Sequence, residues 1–356
     1  MKKFFIILCL IVLFPIKEAS AESLNCSDRY VTLVNPVRGR NSWLDKSLKP
    51  LEEQYGLIKE RGFPATWLLQ YDAFEDGEIV DVLKKFDDRQ EFGIFLEVSP
   101  SLASDSKVPY PHLAAWDDPG ALFLSGYTQS QRRRLIDRYF TSFKKEFGRF
   151  PKAVGAWWID SYSLHYMREK YKVGSAIIVA DQKTTDDYGV WGQWWGVPYY
   201  PLKINILTPG QDRSNAEDVV ITQWAQRDLS RASGEGPAFS NYSLQANDYP
   251  ERGKNTAYFL SLAGSYLDCN LPVGQVTVGL ETGIESVKFL QEYKNQLQAL
   301  SRIKNLEAVT VSEFASAYRK VYPENPKKLI LKDGESEWIL TPLGRINEKL
   351  NEDTRY

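Results

Sequence analysis

The sequence predicts an α/β protein: an irregular (β/α)7-8 barrel with a small strand-containing appendage at its C-terminal end. Three observations carry this expectation. Short apolar runs alternate with stretches of helical period seven or eight times, with no long antiparallel meander, which is the pattern of a parallel sheet covered by helices. The chain has 356 residues, 43% hydrophobic and 25% charged, enough for a sizeable core, and at this length closure into a barrel is the economical solution. Polar residues also stand at or just past the end of run after run: Asn35, Tyr71 and Asp72, Glu97, Asp160, Asp181, Gln223 and Glu281. In a barrel the carboxyl ends of the strands share one face and surround one pocket. A doubly wound open sheet is the alternative.

Residues 1–21 read as a cleavable leader. Lys2 and Lys3 form a basic start, residues 4–14 are apolar, and Ala19-Ser20-Ala21 offers small residues before Glu22. The apolar stretch is shorter than the ~20 residues of a bilayer span, and no later run approaches that length. The expectation is export to periplasm, cell surface or medium, with no stable membrane span after cleavage; an uncleaved anchor is the alternative. Cys9 leaves with the leader, so Cys26 and Cys269 remain as one pair able to form a disulfide in an oxidising compartment.

Residues 22–322 are expected to form the barrel. Residues 29–34 read as the first strand and Asn35 to Arg40 as a polar loop. Residues 47–61 place Leu48, Leu51, Tyr55 and Ile58 at helical spacing, and Gly62 ends the helix. The second strand, 65–69, ends at Gln70-Tyr71-Asp72; a helix follows over 76–86, and the third strand, 92–96, runs into Glu97. Residues 99–128 are a long connection carrying His112 and Trp116, of a size more often functional than idle. A helix over 129–147 leads to Ala-Val-Gly-Ala-Trp-Trp-Ile-Asp-Ser-Tyr-Ser at 153–163, read as a fourth strand presenting Asp160, with a helix over 162–171. The fifth strand, 175–180, ends at Asp181, and a loop over 183–200 carries Trp191, Trp194, Trp195, Tyr199 and Tyr200. Strands at 219–224, 275–280 and 308–311 alternate with helices at 255–267, 284–303 and 312–321. Residues 323–326 read as a linker opening the appendage, 323–356.

Composition narrows the ligand. The formal charge of -2 becomes about -4 when Lys2, Lys3, Lys17 and Glu18 leave, and the absence of a basic block excludes nucleic acid as an expected partner. Ten Trp and 20 Tyr against two His and two Met suit a flat polar ligand better than an imidazole-rich metal centre. A carbohydrate partner, no cofactor and no catalytic metal are expected. Trp157 and Trp158, just before an acid, and Trp191, Trp194 and Trp195 are candidates for stacking on sugar rings, with core packing as the alternative.

Glycoside hydrolysis needs two carboxyl groups in unlike environments, one to donate a proton and one to attack the sugar or activate water. Neighbouring strands lie about 4.8 Å apart, so acids on adjacent strand ends approach the ~5 Å of a retaining pair, while acids across the mouth suit inversion. Asp160 is expected as nucleophile or water-activating base, with Glu97 or Glu281 as donor; the alternative for each is a hydrogen-bonded rim residue that positions loops. Arg38 and Arg40 are expected to partner these acids or to bind an acidic sugar or phosphate. Tyr71, Asp72 and Asp181 complete the expected substrate-binding rim.

Three runs carry a family resemblance. Phe63-Pro64-Ala65-Thr66-Trp67-Leu68 resembles the second strand of NodB-type polysaccharide deacetylases, Glu91-Phe92-Gly93-Ile94 their third, and Phe147-Gly148-Arg149-Phe150-Pro151-Lys152-Ala153-Val154 their fourth, with agreeing spacing over about residues 29–320. The resemblance implies the glycoside hydrolase/deacetylase superfamily, whose members fold as irregular (β/α)7 barrels and act on carbohydrates. The metal ligands of the deacetylases do not carry over. Their Asp pair after strand one and His-x-x-x-His after strand three are replaced by Asn35-Pro36 and Glu97-Val98-Ser99-Pro100-Ser101, and His112 and His165 lie elsewhere. Gly155-Ala156-Trp157-Trp158-Ile159-Asp160 is similar to the Gly-x-Trp-x-x-Glu nucleophile motif of family 57 type retaining glycoside hydrolases, with Asp for Glu. Gly279-Leu280-Glu281 lacks the Asp that precedes the Glu of their late motif, and their early His-x-His is absent. Three functions are therefore expected as alternatives: a secreted glycan hydrolase without catalytic metal, a deacetylase with an atypical metal site, and a glycan-binding barrel without catalysis.

Overall fold

The computed structural model describes residues 26–111, 118–179, 196–231, 242–334 and 336–349. In chain order the elements are β1 (Arg29–Val37), α1 (Lys49–Glu60), β2 (Thr66–Leu69), α2 (Tyr71–Glu75), α3 (Gly77–Leu83), β3 (Glu91–Phe95), α4 (Pro100–Asp105), α5 (Pro119–Leu122), α6 (Gln129–Phe147), β4 (Ala153–Gly155), α7 (Ser161–Tyr171), β5 (Ser175–Ile178), β6 (Pro201–Leu202), β7 (Asn205–Pro209) and β8 (Val220–Gln223). Then follow α8 (Thr256–Tyr266), β9 (Gly274–Val278), α9 (Glu285–Leu300), β10 (Leu306–Val309), α10 (Val311–Val321), β11 (Leu329–Lys332), β12 (Ser336–Thr341) and β13 (Gly344–Lys349).

Eight of these strands form a nearly closed parallel barrel, as the alternation predicts. The order runs β10-β1-β2-β3-β4-β5-β8, with β9 also paired to β1. β1 is the hub because all nine of its residues are buried. Its first half pairs β9 on one edge and β10 on the other, and from Val34 to Val37 it pairs β2. Gly279 lets the chain leaving β9 stay against β1, since a Cβ there would lie 1.7 Å from the Val34 carbonyl oxygen. The remaining seam, between β8 and β9, is stitched by a side chain: the Gln226 amide donates to the Gln275 carbonyl (3.3 Å) and accepts from the Thr277 N–H (2.9 Å).

The helices have local causes. α6 starts in a capping box between Thr128 and Gln131 and ends at Gly148, whose φ of 73° is the left-handed turn a glycine makes without strain. α10 starts in a second capping box, Thr310 with Glu313. Cys26 and Cys269 are bonded, with a Cα–Cα distance of 5.7 Å, so the pair left open by the sequence closes the chain start onto the turn before β9. Among the described residues no helix is long and apolar enough to cross a membrane.

Several boundaries differ from expectation. Asn35, Pro36 and Val37, expected in a loop, extend β1: the Asn35 Oδ1 accepts from Gln54 Nε2 (2.7 Å), and the Pro36 carbonyl accepts from the Thr282 N–H (2.9 Å). Only three residues of the fourth apolar run form a ladder, so Trp157 and Asp160 lie beyond β4. The β6–β7 hairpin was not foreseen. The expected linker at 323–326 is fastened instead, because buried Asn325 bonds the Tyr200 N–H and carbonyl and the Gly210 carbonyl. The expected strand-containing appendage is the antiparallel sheet β11-β12-β13. Its Leu331, Trp338 and Leu340 join the same apolar cluster as the barrel, and Trp338 Nε1 donates to the Leu229 carbonyl (3.0 Å).

Candidate functional site

At the carboxyl ends of the strands, one guanidinium joins two acids. Arg38 follows β1 directly, and its carbonyl accepts from Trp43 Nε1 (2.9 Å). Its Nε and Nη2 donate side-on to Glu97 (2.7 and 2.6 Å), while Nη1 donates to Glu281. Glu97 lies two residues past β3 and Glu281 three past β9, so the pairing spans the mouth. Gln70, the residue after β2, donates its amide to Glu97 (2.9 Å) and accepts from the Gly39 N–H (3.1 Å). Glu97 is 0% exposed, Arg38 4% and Glu281 8%. Charges so far from water need this density of partners, because desolvation costs several kcal/mol per ion and only paired, hydrogen-bonded geometry offsets it.

Aromatic rings frame the guanidinium. It lies 5.4 Å from the Phe95 ring centroid and 6.0 Å from that of Trp157. Trp157 is buried, edge-on to Phe95 (5.3 Å) and to Trp224 (5.4 Å). Next to this cluster, Gln223 and Trp224 are each 3% exposed, and neither the Gln223 amide nor Trp224 Nε1 has a hydrogen-bond partner among the described residues. Buried polar groups are seldom left so, and such atoms mark where a water or a ligand hydroxyl binds.

A third acid completes the mouth. Glu285, the first residue of α9, accepts from the Glu281 N–H (2.9 Å), from Gln245 Nε2 (3.1 Å to each oxygen) and from Asn247 Nδ2 (2.6 Å). Burial raises its carboxyl well above the usual carboxylate range, and the neighbouring Glu281 charge adds to the shift. A carboxylate held against a guanidinium and a carboxyl group raised by burial thus stand side by side, four residues apart in sequence. Sequence reasoning missed Glu285 and Gln70; the available signals were a second acid one helical turn after Glu281 and a polar residue just past β2.

The other expected residues are placed as follows. Asp160 caps α7, accepting from the Ser163 N–H (3.0 Å) and hydroxyl (2.6 Å), and pairs with Arg132 (2.8 Å); none of these bonds reaches Arg38, Glu97 or Glu281. Trp158 is half-buried against the core. Arg40 pairs with Asp76 and Glu78 at the start of α3. Tyr71 is buried, donates to Asp105 (2.5 Å), accepts from Arg138 (2.8 Å), and has its hydroxyl pushed up to about 12 by burial. Asp72 accepts from the hydroxyls of Ser99 (2.7 Å) and Ser101. Asp181, Trp191, Trp194 and Trp195 lie outside the described residues, as does His112.

The donor set at the mouth does not fit the catalytic metal of the deacetylases. Among the described residues no histidine stands there, both oxygens of Glu97 accept from Arg38, and a divalent ion between Glu97 and Glu281 would face a guanidinium at contact distance.

No family model matches the sequence, and no curated protein matches it. Solved structures do. A protein assigned as a glycoside hydrolase/deacetylase from Parabacteroides distasonis is 16% identical, with a TM-score of 0.67 over 94% of this chain and 83% of that one. A protein assigned as a polysaccharide deacetylase from Mycobacterium smegmatis is 12% identical, with a TM-score of 0.50 over 87% of this chain and 97% of that one. At these identities the likeness is one of architecture: the chain shares the barrel fold of these two structures, as the strand motifs read from the sequence predict.

Proposed function

We propose that the chain is an exported carbohydrate-active hydrolase that cleaves glycosidic bonds of a poly- or oligosaccharide with carboxyl groups at the barrel mouth. The observation that carries this is the pair Glu281 and Glu285. Burial raises the Glu285 carboxyl, and Arg38 sets a positive charge against Glu281, which are the unlike environments that an acid and a base require. Glu285 donates its proton to the leaving glycosidic oxygen as that bond breaks. Glu281 attacks the anomeric carbon or takes a proton from the water that does so. Gln223 and Trp224 supply unpaired donors and an acceptor for sugar hydroxyls. Asp160, with its carboxylate occupied by Ser163 and Arg132, positions α7 in this reading, and Glu97 holds Arg38. The superfamily fold and the leader read in residues 1–21 support a glycan outside the cytoplasm as substrate.

The test is a panel of polysaccharides and chromogenic glycosides, read for new reducing ends and for released acetate. Glu285→Gln and Glu281→Gln should each lower kcat by about 10²-fold or more, with melting temperatures showing that both variants fold. Reducing ends formed at the wild-type rate by both variants would overturn the assignment. Acetate release without reducing ends would make the chain a deacetylase, and saturable glycan binding without turnover would make it a binding barrel.

A further inference from the structure

We propose that the outer wall of the barrel binds one divalent transition-metal ion, zinc by its donor set, between α7 and the chain leading into β8. His165 and Glu169 stand one helical turn apart on α7, so their side chains share a face. Glu217, three residues before β8, comes up against them. One ligand atom from each of the three lies within 4.8 Å of the other two, and His165 Nδ1 is 2.8 Å from Glu217 Oε2. Tetrahedral zinc with bonds of about 2.0–2.1 Å holds its ligand atoms about 3.3 Å apart, so the His165–Glu217 pair has to open by about half an ångström while Glu169 swings to the same distance.

A second observation points the same way. Glu217 is 6% exposed, yet its carboxylate bonds only His165, itself an exposed residue, and its Oε1 has no hydrogen-bond partner among the described residues. The cations at hand are committed elsewhere, since Arg168 and Arg319 both pair with Asp218. A carboxylate this little exposed, with one imidazole as its bonded partner, favours a further positive charge beside it. Two carboxylates with an imidazole in its neutral, metal-binding form match the charge of a divalent ion, and three protein ligands leave a fourth position for water. The site is independent of the hydrolytic proposal: α7 runs away from the carboxyl-end face, and Glu217 precedes its strand instead of following it.

Zinc is titrated into the purified chain in competition with a chromophoric chelator, and cobalt(II) is added in parallel to read visible absorption. Saturable binding of one zinc per chain is expected. His165→Ala, Glu217→Gln and Glu169→Gln should each weaken it at least 10-fold and remove the zinc-dependent rise in melting temperature. Glu169 is exposed, so its variant decides the matter even if the Glu217 variant folds poorly. No saturable binding, or wild-type affinity in both His165→Ala and Glu169→Gln, would overturn the site.

Discussion

Replacing Arg38 with methionine tests the electrostatic frame of the mouth. Methionine keeps much of the side chain's length and apolar contact with Phe95 and Trp157 while removing the charge. The guanidinium gives two bonds to Glu97 and one to Glu281. Glu97, at 0% exposure, cannot turn to water and is left with the Gln70 amide alone. Removing one partner of a buried ion pair costs about 3–5 kcal/mol. At about 2.1 cal/mol/K of unfolding entropy per residue, the 356 residues convert each kcal/mol into about 1.3 °C of Tm, so Arg38→Met should melt about 4–7 °C below wild type by circular dichroism at a fixed scan rate. Because replacing both charges by apolar groups is often neutral, adding Glu97→Met should recover most of that loss. A single variant within about 1 kcal/mol of wild type, or a double variant no more stable than the single, would refute the view that this pairing holds the mouth together.

The disulfide and Glu285 give two further expectations. Cys26 and Cys269 are 243 residues apart in sequence, so Cys26→Ser with Cys269→Ser should cost about 2–5 kcal/mol in denaturant titrations; a loss under about 1 kcal/mol would mean that the barrel already fixes those ends. Glu285 binds its proton more tightly in the folded chain, through burial first and the Glu281 charge second. Its stabilising contribution is therefore complete below the unfolded value near pH 4.3 and lost as pH rises through the folded one. Relative to wild type, Glu285→Gln should gain stability from about pH 4.3 upward. Urea midpoints that run parallel with pH in the two proteins would contradict the raised carboxyl.

How legible each part was depended on whether its cause was local. α6 could be read at both ends because Thr128, Gln131 and Gly148 fix its termini within the helix itself. The end of β1 could not, since Asn35-Pro36 is turn chemistry by local preference and becomes strand through its ladder with β2, helped by Gln54 and Thr282. Asp160 shows the same limit at the site. An acid after an apolar run and before a helix is the sequence of a strand-end catalyst and equally of an N-cap, and the structure gives it the bonds of a cap. That Glu97 and Glu281 would come together could be read from their positions past strands, because barrel topology brings all such positions to one face. Glu285 stayed hidden because nothing in a helix's first residue announces that Gln245, Asn247 and the Glu281 N–H will enclose it.

The departures from the deacetylase pattern also make physical sense together. In those enzymes, as the resemblance implies, a metal ion supplies the positive charge at the mouth and histidines help to hold it. Here the positive charge is Arg38, fixed on the chain just past β1 and bound side-on by the acid that follows β3. A guanidinium has no open coordination position for water, so it does not generate a metal-type nucleophile; it stabilises anions by charge and by N–H donors. Under the proposed function, hydrolysis at this mouth then takes its acid and base from carboxyl groups whose oxygens are not all claimed by the arginine. Glu97 fails that condition. Among the bonds described, Glu281 meets Arg38 through Oε2 and Glu285 does not meet it, so under the proposed function substituting either should lower turnover while leaving the Arg38–Glu97 pair in place.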